Sequence, residues 1–181
     1  RVDNVGGARE AARHLLQLGH RRIALITGAG RGPTAREREE GFRSALLEAG
    51  VPFDPALRLE APNFSRENGI EAGERLLALK PRPSAAFVSA GDVCATGVVL
   101  ALKRAGLSVP RDLSVLGFDD QPFAELMEPA LTTVRQPMER MGREAFHMLR
   151  DALKDPQERA PRRRDFETEL IVRASTAKAA A

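Results

Sequence analysis

The chain has 181 residues, 43% of them hydrophobic, enough for one ordinary α/β core and too few for two large ones. Its 28 Lys/Arg and 25 Asp/Glu are interleaved and leave a formal charge of +3, which does not make a dedicated nucleic-acid face. There is no Trp or Tyr to stack on bases, and the one cysteine, Cys94, excludes an intrachain disulfide or a cysteine zinc cluster and favours a reducing compartment; no apolar run reaches membrane-spanning length.

From Ala8 onward, Ala8, Ala11, Ala12, Leu15 and Leu16 recur at the spacing of a helix with one buried face, with Asn4 expected as its cap and Gly19 as its stop. "RRIALITG" reads as a buried parallel strand, and a second helix buries Phe42, Ala45, Leu46 and Ala49 before Gly50. The alternation repeats: a strand near "LRLEA", a helix over 65–79, a strand at "AAFVSA", a helix over 92–105 with Cys94 buried inside it, and a strand at "LSVLGF". After "GFDDQPF" come a further strand, "LTTVRQ", and a helix behind Pro137 that carries Met138, Met141, Ala145, Met148 and Leu149 at core spacing. The run 162–164 reads as a solvated loop, and "RDFETELIVR" as a last edge strand pointing Phe166, Thr168, Leu170 and Val172 inward; the tail "ASTAKAAA" has nothing to bury. Strands at about thirty-residue intervals with helices between them give a doubly wound, three-layer α/β/α fold on one parallel sheet.

The first βα turn, "ITGAGRGP", invites a dinucleotide reading. Its glycines at 28, 30 and 32 are followed by Pro33, so the third glycine is one residue early and a donor is missing. Asp54, where a ribose-binding acid would be sought, lies between prolines in a loop, and no Gly-Lys-Ser/Thr marks a P-loop. The stretch reads as a plain βα turn, with a nucleotide-dependent enzyme as the remote alternative.

Ligands of such sheets bind beyond the carboxyl ends of the strands. Residues there are 28–38, Asn63 and Phe64, Gly91 and Asp92, Asp119 and Asp120, and Gln136: an aromatic ring, carboxylates, an amide and guanidinium groups, a set suited to holding hydroxyls or ring nitrogens. His14, His20 and His147 end no strand and read as structural, and the adjacent acids of "GFDD" point apart, so no acid/base pair is formed. Asp92 reads first as a helix cap and second as a ligand contact.

"GHRRIALITG", "REREEGFRSALLEAG", "GDVCATGVVLALKRAGLSVPRDLSVLGFDD", "PALTTVRQPMERMGREA" and "LIVRAST", in this order, resemble the effector-binding region of LacI-type transcriptional regulators over nearly the whole chain. The resemblance implies a type I periplasmic-binding-protein-like fold of two subdomains closing on a small effector, of which 1–134 is the carboxyl-terminal subdomain, 135–160 a helix crossing to the other subdomain, and 161–181 the last strand and tail. It implies that a helix-turn-helix headpiece and most of the amino-terminal subdomain precede Arg1, and that the crossing helix lacks its usual partners. Arg38 matches the arginine that touches the effector, Phe64 the aromatic that stacks on it, Asp119 the carboxylate that holds its polar groups, and Gln136 a position near hinge and cleft. Gly91-Asp92 stands where sugar-responsive members read Asn-Asp, which leaves a sugar or a purine-like metabolite as effector; Arg31 reads as a solvated arginine of the loop facing the cleft. The implied protein is a cytoplasmic homodimer without metal or cofactor, not an enzyme, that reaches DNA only through its headpiece. A periplasmic solute receptor on the same fold is the alternative.

Overall fold

The computed structural model describes residues 1–28, 32–154 and 163–179. Gly30 and Arg31 of the first turn, Arg162 of the basic run and the 155–160 end of the crossing segment lie outside the described residues. Along the chain run α1 (Asn4–Gln17), β1 (Ile23–Gly28), α2 (Pro33–Glu48), β2 (Arg58–Ala61), α3 (Arg66–Ala78), β3 (Ala85–Val88), α4 (Asp92–Arg104), β4 (Ser114–Asp119), β5 (Thr132–Arg135), α5 (Met138–Lys154) and β6 (Glu169–Ile171).

The strands form one sheet in the order β2-β1-β3-β4-β5-β6, parallel except for β6, which runs antiparallel along the edge of β5. Successive connections leave β1 in opposite directions, so the order reverses between β1 and β3 and opens a crevice at their carboxyl ends. β1 is buried throughout, as apolar strands covered on both faces must be. Its Ile23 and Leu25 pack under α1 and α2 with Phe42, Phe87 and Phe118, while Ala24 and Ile26 pack under α3 and α4 with Leu76, Val98 and Leu102. Three phenylalanines stack through the first layer, with ring centroids 6.1 Å (Phe42 to Phe87) and 6.5 Å (Phe87 to Phe118) apart. In the second layer α3 and α4 cross almost backbone to backbone. A Cβ on Gly69 would lie 2.0 Å from the Cys94 carbonyl oxygen, and one on Gly97 would lie 2.0 Å from that of Arg66.

Several expectations are corrected. The cap of α1 is Asp3, whose carboxylate accepts from the Gly6 N–H at 2.8 Å; Asn4 is the first helical residue and turns its amide inward. Ala49 is exposed beyond the buried face of α2, and Val172 points out past the end of a β6 only three residues long. α5 has the spacing of a core helix, yet no described side chain on it is buried: Met138, Phe146, Leu149 and Leu153 face outward, because the sheet ends at β6 and nothing among the described residues covers them.

The tail, in contrast, is built into the body. Ser175 is fully buried: its hydroxyl donates to the Val115 carbonyl at 2.6 Å and accepts from the Thr132 N–H at 2.8 Å. His14 Nε2 meets the Thr176 hydroxyl at 2.9 Å, and His20 Nε2 donates to the Ala177 carbonyl at 3.0 Å while its Nδ1 accepts from the Ser84 hydroxyl at 2.9 Å. The tail therefore seals the amino-terminal end of the sheet with polar contacts, which an apolar pattern search does not see. Burial holds both imidazoles below their ordinary value of 6.5, His14 also through its nearness to His20. Below about pH 6.5 the unfolded chain takes up protons that the folded chain refuses, so the contribution of the two histidines is complete above that pH and lost as pH falls through the folded values. The stability difference between the wild type and the His14→Gln/His20→Gln variant, in which carboxylate effects cancel, is expected to shrink between pH 7 and pH 5 in urea unfolding; a constant difference would contradict the assignment.

Candidate functional site

Four of the five residues singled out in the sequence lie at the carboxyl ends of the strands, along the crevice. The first turn of α2 starts at Pro33, preset for a helical φ, and one turn in, Arg38 points under the crevice. It is 5% exposed. Its Nε donates to Asn4 Oδ1 at 3.0 Å and Nη1 to the Ser89 carbonyl at 2.7 Å, and its guanidinium lies 3.6 Å from the centre of the Phe118 ring. Nη2 faces Asp119 Oδ1 at 3.5 Å, an ion pair too long for a good hydrogen bond, so it keeps donor capacity on the crevice side.

Asp119 ends β4 in a left-handed conformation (φ 119°), and Asp120 follows with φ 55°. Two successive non-glycine residues in this region are sparsely populated geometry, held by surrounding contacts. Asp119 Oδ1 accepts from Gln136 Nε2 at 2.5 Å, and its Oδ2 leans over Gly91, where a Cβ would come within 2.7 Å of it. Gly91 itself sits at φ 112°, so the absence of a side chain serves both the backbone and the carboxylate. Burial raises the Asp119 carboxyl above its ordinary value, against the opposing pull of Arg38 and Gln136.

Phe64, at φ 54° after β2, is 49% exposed and lays its ring across Gly28, where a Cβ would lie 2.5 Å from the ring. A half-exposed aromatic face at the mouth of a crevice is free to cover a flat ligand. Gln136 stands between two cavities. One, of about 360 Å³, is lined in part by Pro33, Thr34, Glu37, Arg38 and Met141; the other, of about 640 Å³, in part by Asp119, Arg135 and Met138.

Asp92 is placed differently. It is the first residue of α4, with Gly91 at the cap position, and it is fully buried. Its Oδ1 accepts from the Thr133 hydroxyl at 2.6 Å and its Oδ2 from the Gln121 N–H at 2.9 Å, and burial pushes its carboxyl up to about 6. Both oxygens are spent on tying α4 to β5 and to the loop after β4, and none of its surface reaches the crevice. Of the residues that hold Arg38, Ser89 and Phe118 were not singled out in the sequence and Asn4 only as a helix cap: an amide, a backbone carbonyl and a ring face drawn from distant parts of the chain leave no local pattern.

The class of protein that this fold and site define is an α/β small-molecule-binding domain with its ligand crevice at a switch point. Residues 12–176 match the family described as periplasmic binding protein-like domain. The chain is 39% identical over 174 residues to the HTH-type transcriptional regulator CelR of Thermobifida fusca, covering 96% of this chain and 50% of that one, and 41% identical over 175 residues to DegA of Bacillus subtilis, covering 97% and 51%. It superposes on the structure of a CelR–cellobiose complex with a TM-score of 0.89 at 39% identity (96% and 52% covered), and on a LacI family regulator of Enterococcus faecium with bound ribose with a TM-score of 0.86 at 31% identity (98% and 65% covered). The chain belongs to the periplasmic binding protein-like family, among the effector-binding domains of LacI-type regulators. It spans about half the length of the curated relatives it matches.

Removing the charge from Arg38 withdraws the cation that opposes burial at Asp119. Arg38→Met is expected to move the Asp119 titration midpoint, followed by carboxyl NMR, further upward; a midpoint that stays or falls would show that the pair is not coupled.

Proposed function

We propose that this chain is the carboxyl-terminal part of the effector-binding domain of a LacI-type transcriptional regulator, which binds an uncharged sugar or purine-like metabolite over Arg38, Phe64, Asp119 and Gln136. The observation that carries this reading is the Arg38–Asp119 pair. A buried guanidinium with spare donors and a carboxylate with spare lone pairs stand side by side at the carboxyl ends of the strands, where the half-exposed Phe64 ring also lies, across Gly28. The pair offers both hydrogen-bond polarities with no net charge, which suits hydroxyls or ring nitrogens and disfavours an anion. Cellobiose and ribose in the related structures are ligands of that kind.

In this reading Asp92 acts from below, setting α4 and the loop after β4. α5 crosses to an amino-terminal subdomain and presents its apolar stripe there. Effector binding selects one relative setting of the two subdomains in a cytoplasmic homodimer, and a helix-turn-helix headpiece converts it into operator affinity, so the two affinities are linked reciprocally. The chemistry is recognition and not catalysis: Asp119 turns to Arg38 and Gln136, and Asp120 to Arg135 and Arg173, so the adjacent acids do not face a common substrate.

The test uses the full-length protein. Ribose, cellobiose and purine bases are screened by thermal shift, and operator affinity is then measured with and without whichever compound stabilises the protein. Asp119→Ala is expected to weaken that compound by about 10- to 100-fold, the worth of hydrogen bonds to a charged group, and Phe64→Ala by about 10-fold, with operator binding retained in both. Undiminished effector affinity in Asp119→Ala would overturn the placement of the site.

A further inference from the structure

The two acids of "GFDD" divide their attention between the crevice and the two outermost strands. Asp119 faces the ligand side and holds Gln136, the residue that follows β5. Asp120, with its side chain 7% exposed, faces away: its Oδ2 accepts from Arg135 Nε at 2.7 Å and its Oδ1 lies 2.8 Å from Arg173 Nη1. Arg135 is the last residue of β5, and its Nη1 continues to Glu169, the first residue of β6, at 3.2 Å. Arg173 lies just past β6 and also binds back to β5, with Nη1 donating to the Leu131 carbonyl at 2.8 Å and its N–H to the Thr132 hydroxyl at 2.9 Å. The network contains two carboxylates and two guanidiniums and is balanced in charge. The pair on its buried side, Asp120 with Arg173, is the one least screened by solvent.

We propose that Asp120 is a positioning residue of the hinge, a latch that ties β5 and β6 to the end of β4, so that the setting of α5 follows the state of the neighbouring Asp119. β5 runs through Gln136 and Pro137 directly into α5, and β6 is the strand by which the chain comes back to the sheet. An effector that engages Asp119 competes with the Gln136 amide for the carboxylate. Were Asp120 free of these contacts, that change would not reach the outer strands. Held from both sides in a left-handed conformation, it passes any rotation of the 119–120 peptide to Arg135 and Arg173, and so to both hinge strands. The inference rests on the regulator reading above and adds to it a residue that does not touch the ligand.

The full-length protein is spin-labelled at Arg104→Cys on α4 and Arg150→Cys on α5, both exposed, while the buried native Cys94, its thiol pushed up to about 12, stays unlabelled. Asp120→Asn is expected to broaden or shift the α4–α5 distance distribution without effector, and an unchanged distribution in a folded variant overturns the latch. Arg135→Gln, on the exposed side of the network, replaces it if Asp120→Asn does not fold. Where the wild type changes operator affinity on adding cellobiose or ribose, Asp120→Asn is expected to lose about 5-fold of that change while sugar affinity stays within about threefold. Retained coupling alongside a lowered melting temperature would make Asp120 a structural residue and also overturn the proposal. A wild type that responds to neither sugar counts against the effector reading alone, and the distance measurement still decides the latch.

Discussion

Everything at the crevice depends on keeping one guanidinium charged in a place where water hardly reaches it. A buried charge is tolerated only when geometry and hydrogen bonding are both supplied, and for Arg38 four contacts supply them: the Asn4 amide of α1, the Ser89 carbonyl just after β3, and the Phe118 ring and Asp119 carboxylate of β4. Loss of Asp119 leaves the charge with neutral partners only. The arginine is therefore a structural centre in its own right. In the proposed function, its fixed position is what would let a modest number of donors and acceptors discriminate between ligands.

The two ends of the sheet use polarity in opposite ways. At the carboxyl ends, hydrogen-bonding groups are left partly unspent, which is the condition for binding something else. At the amino-terminal ends, Ser175 meets Val115 and Thr132, Thr176 meets His14, and Ala177 meets Ser114 and His20, until little capacity remains, and that end is closed. Between them lie the phenylalanine stack and the glycine-tight crossing of α3 and α4, the most closely packed parts of the body.

Much of this was legible in the chain itself. Periodicity and breakers located the helices and strands, and the strand-end rule gave a wider set of residues from which the LacI-type resemblance picked out Arg38, Phe64, Asp119 and Gln136. What was not legible has physical causes. Asp3 and Asn4 are both good caps, and the choice between them was made by the long-range demand of Arg38 for the Asn4 amide. The stripe on α5 has core spacing, but spacing does not tell whether the partner surface belongs to the same chain segment. The tail carries no large apolar residue, so its burial through hydroxyls and carbonyls left no hydrophobic signal. Asp92 sits at a strand-to-helix junction where a ligand contact and a buried strut read alike; only the positions of Thr133 and Gln121, contributed from far along the chain, separate the two.

Gly91 has a bearing on how such a domain can change over time. The Asp119 carboxylate occupies the space that a side chain at position 91 would need, and the backbone there has a φ that side chains resist. In the proposed site, a mutation adding a group at this position would first displace the Asp119 carboxylate, unless the turn and the carboxylate had already shifted. The two positions are therefore epistatic, their effects failing to add. The order in which substitutions arrive, and not merely their sum, decides which new ligands a lineage carrying this glycine can reach.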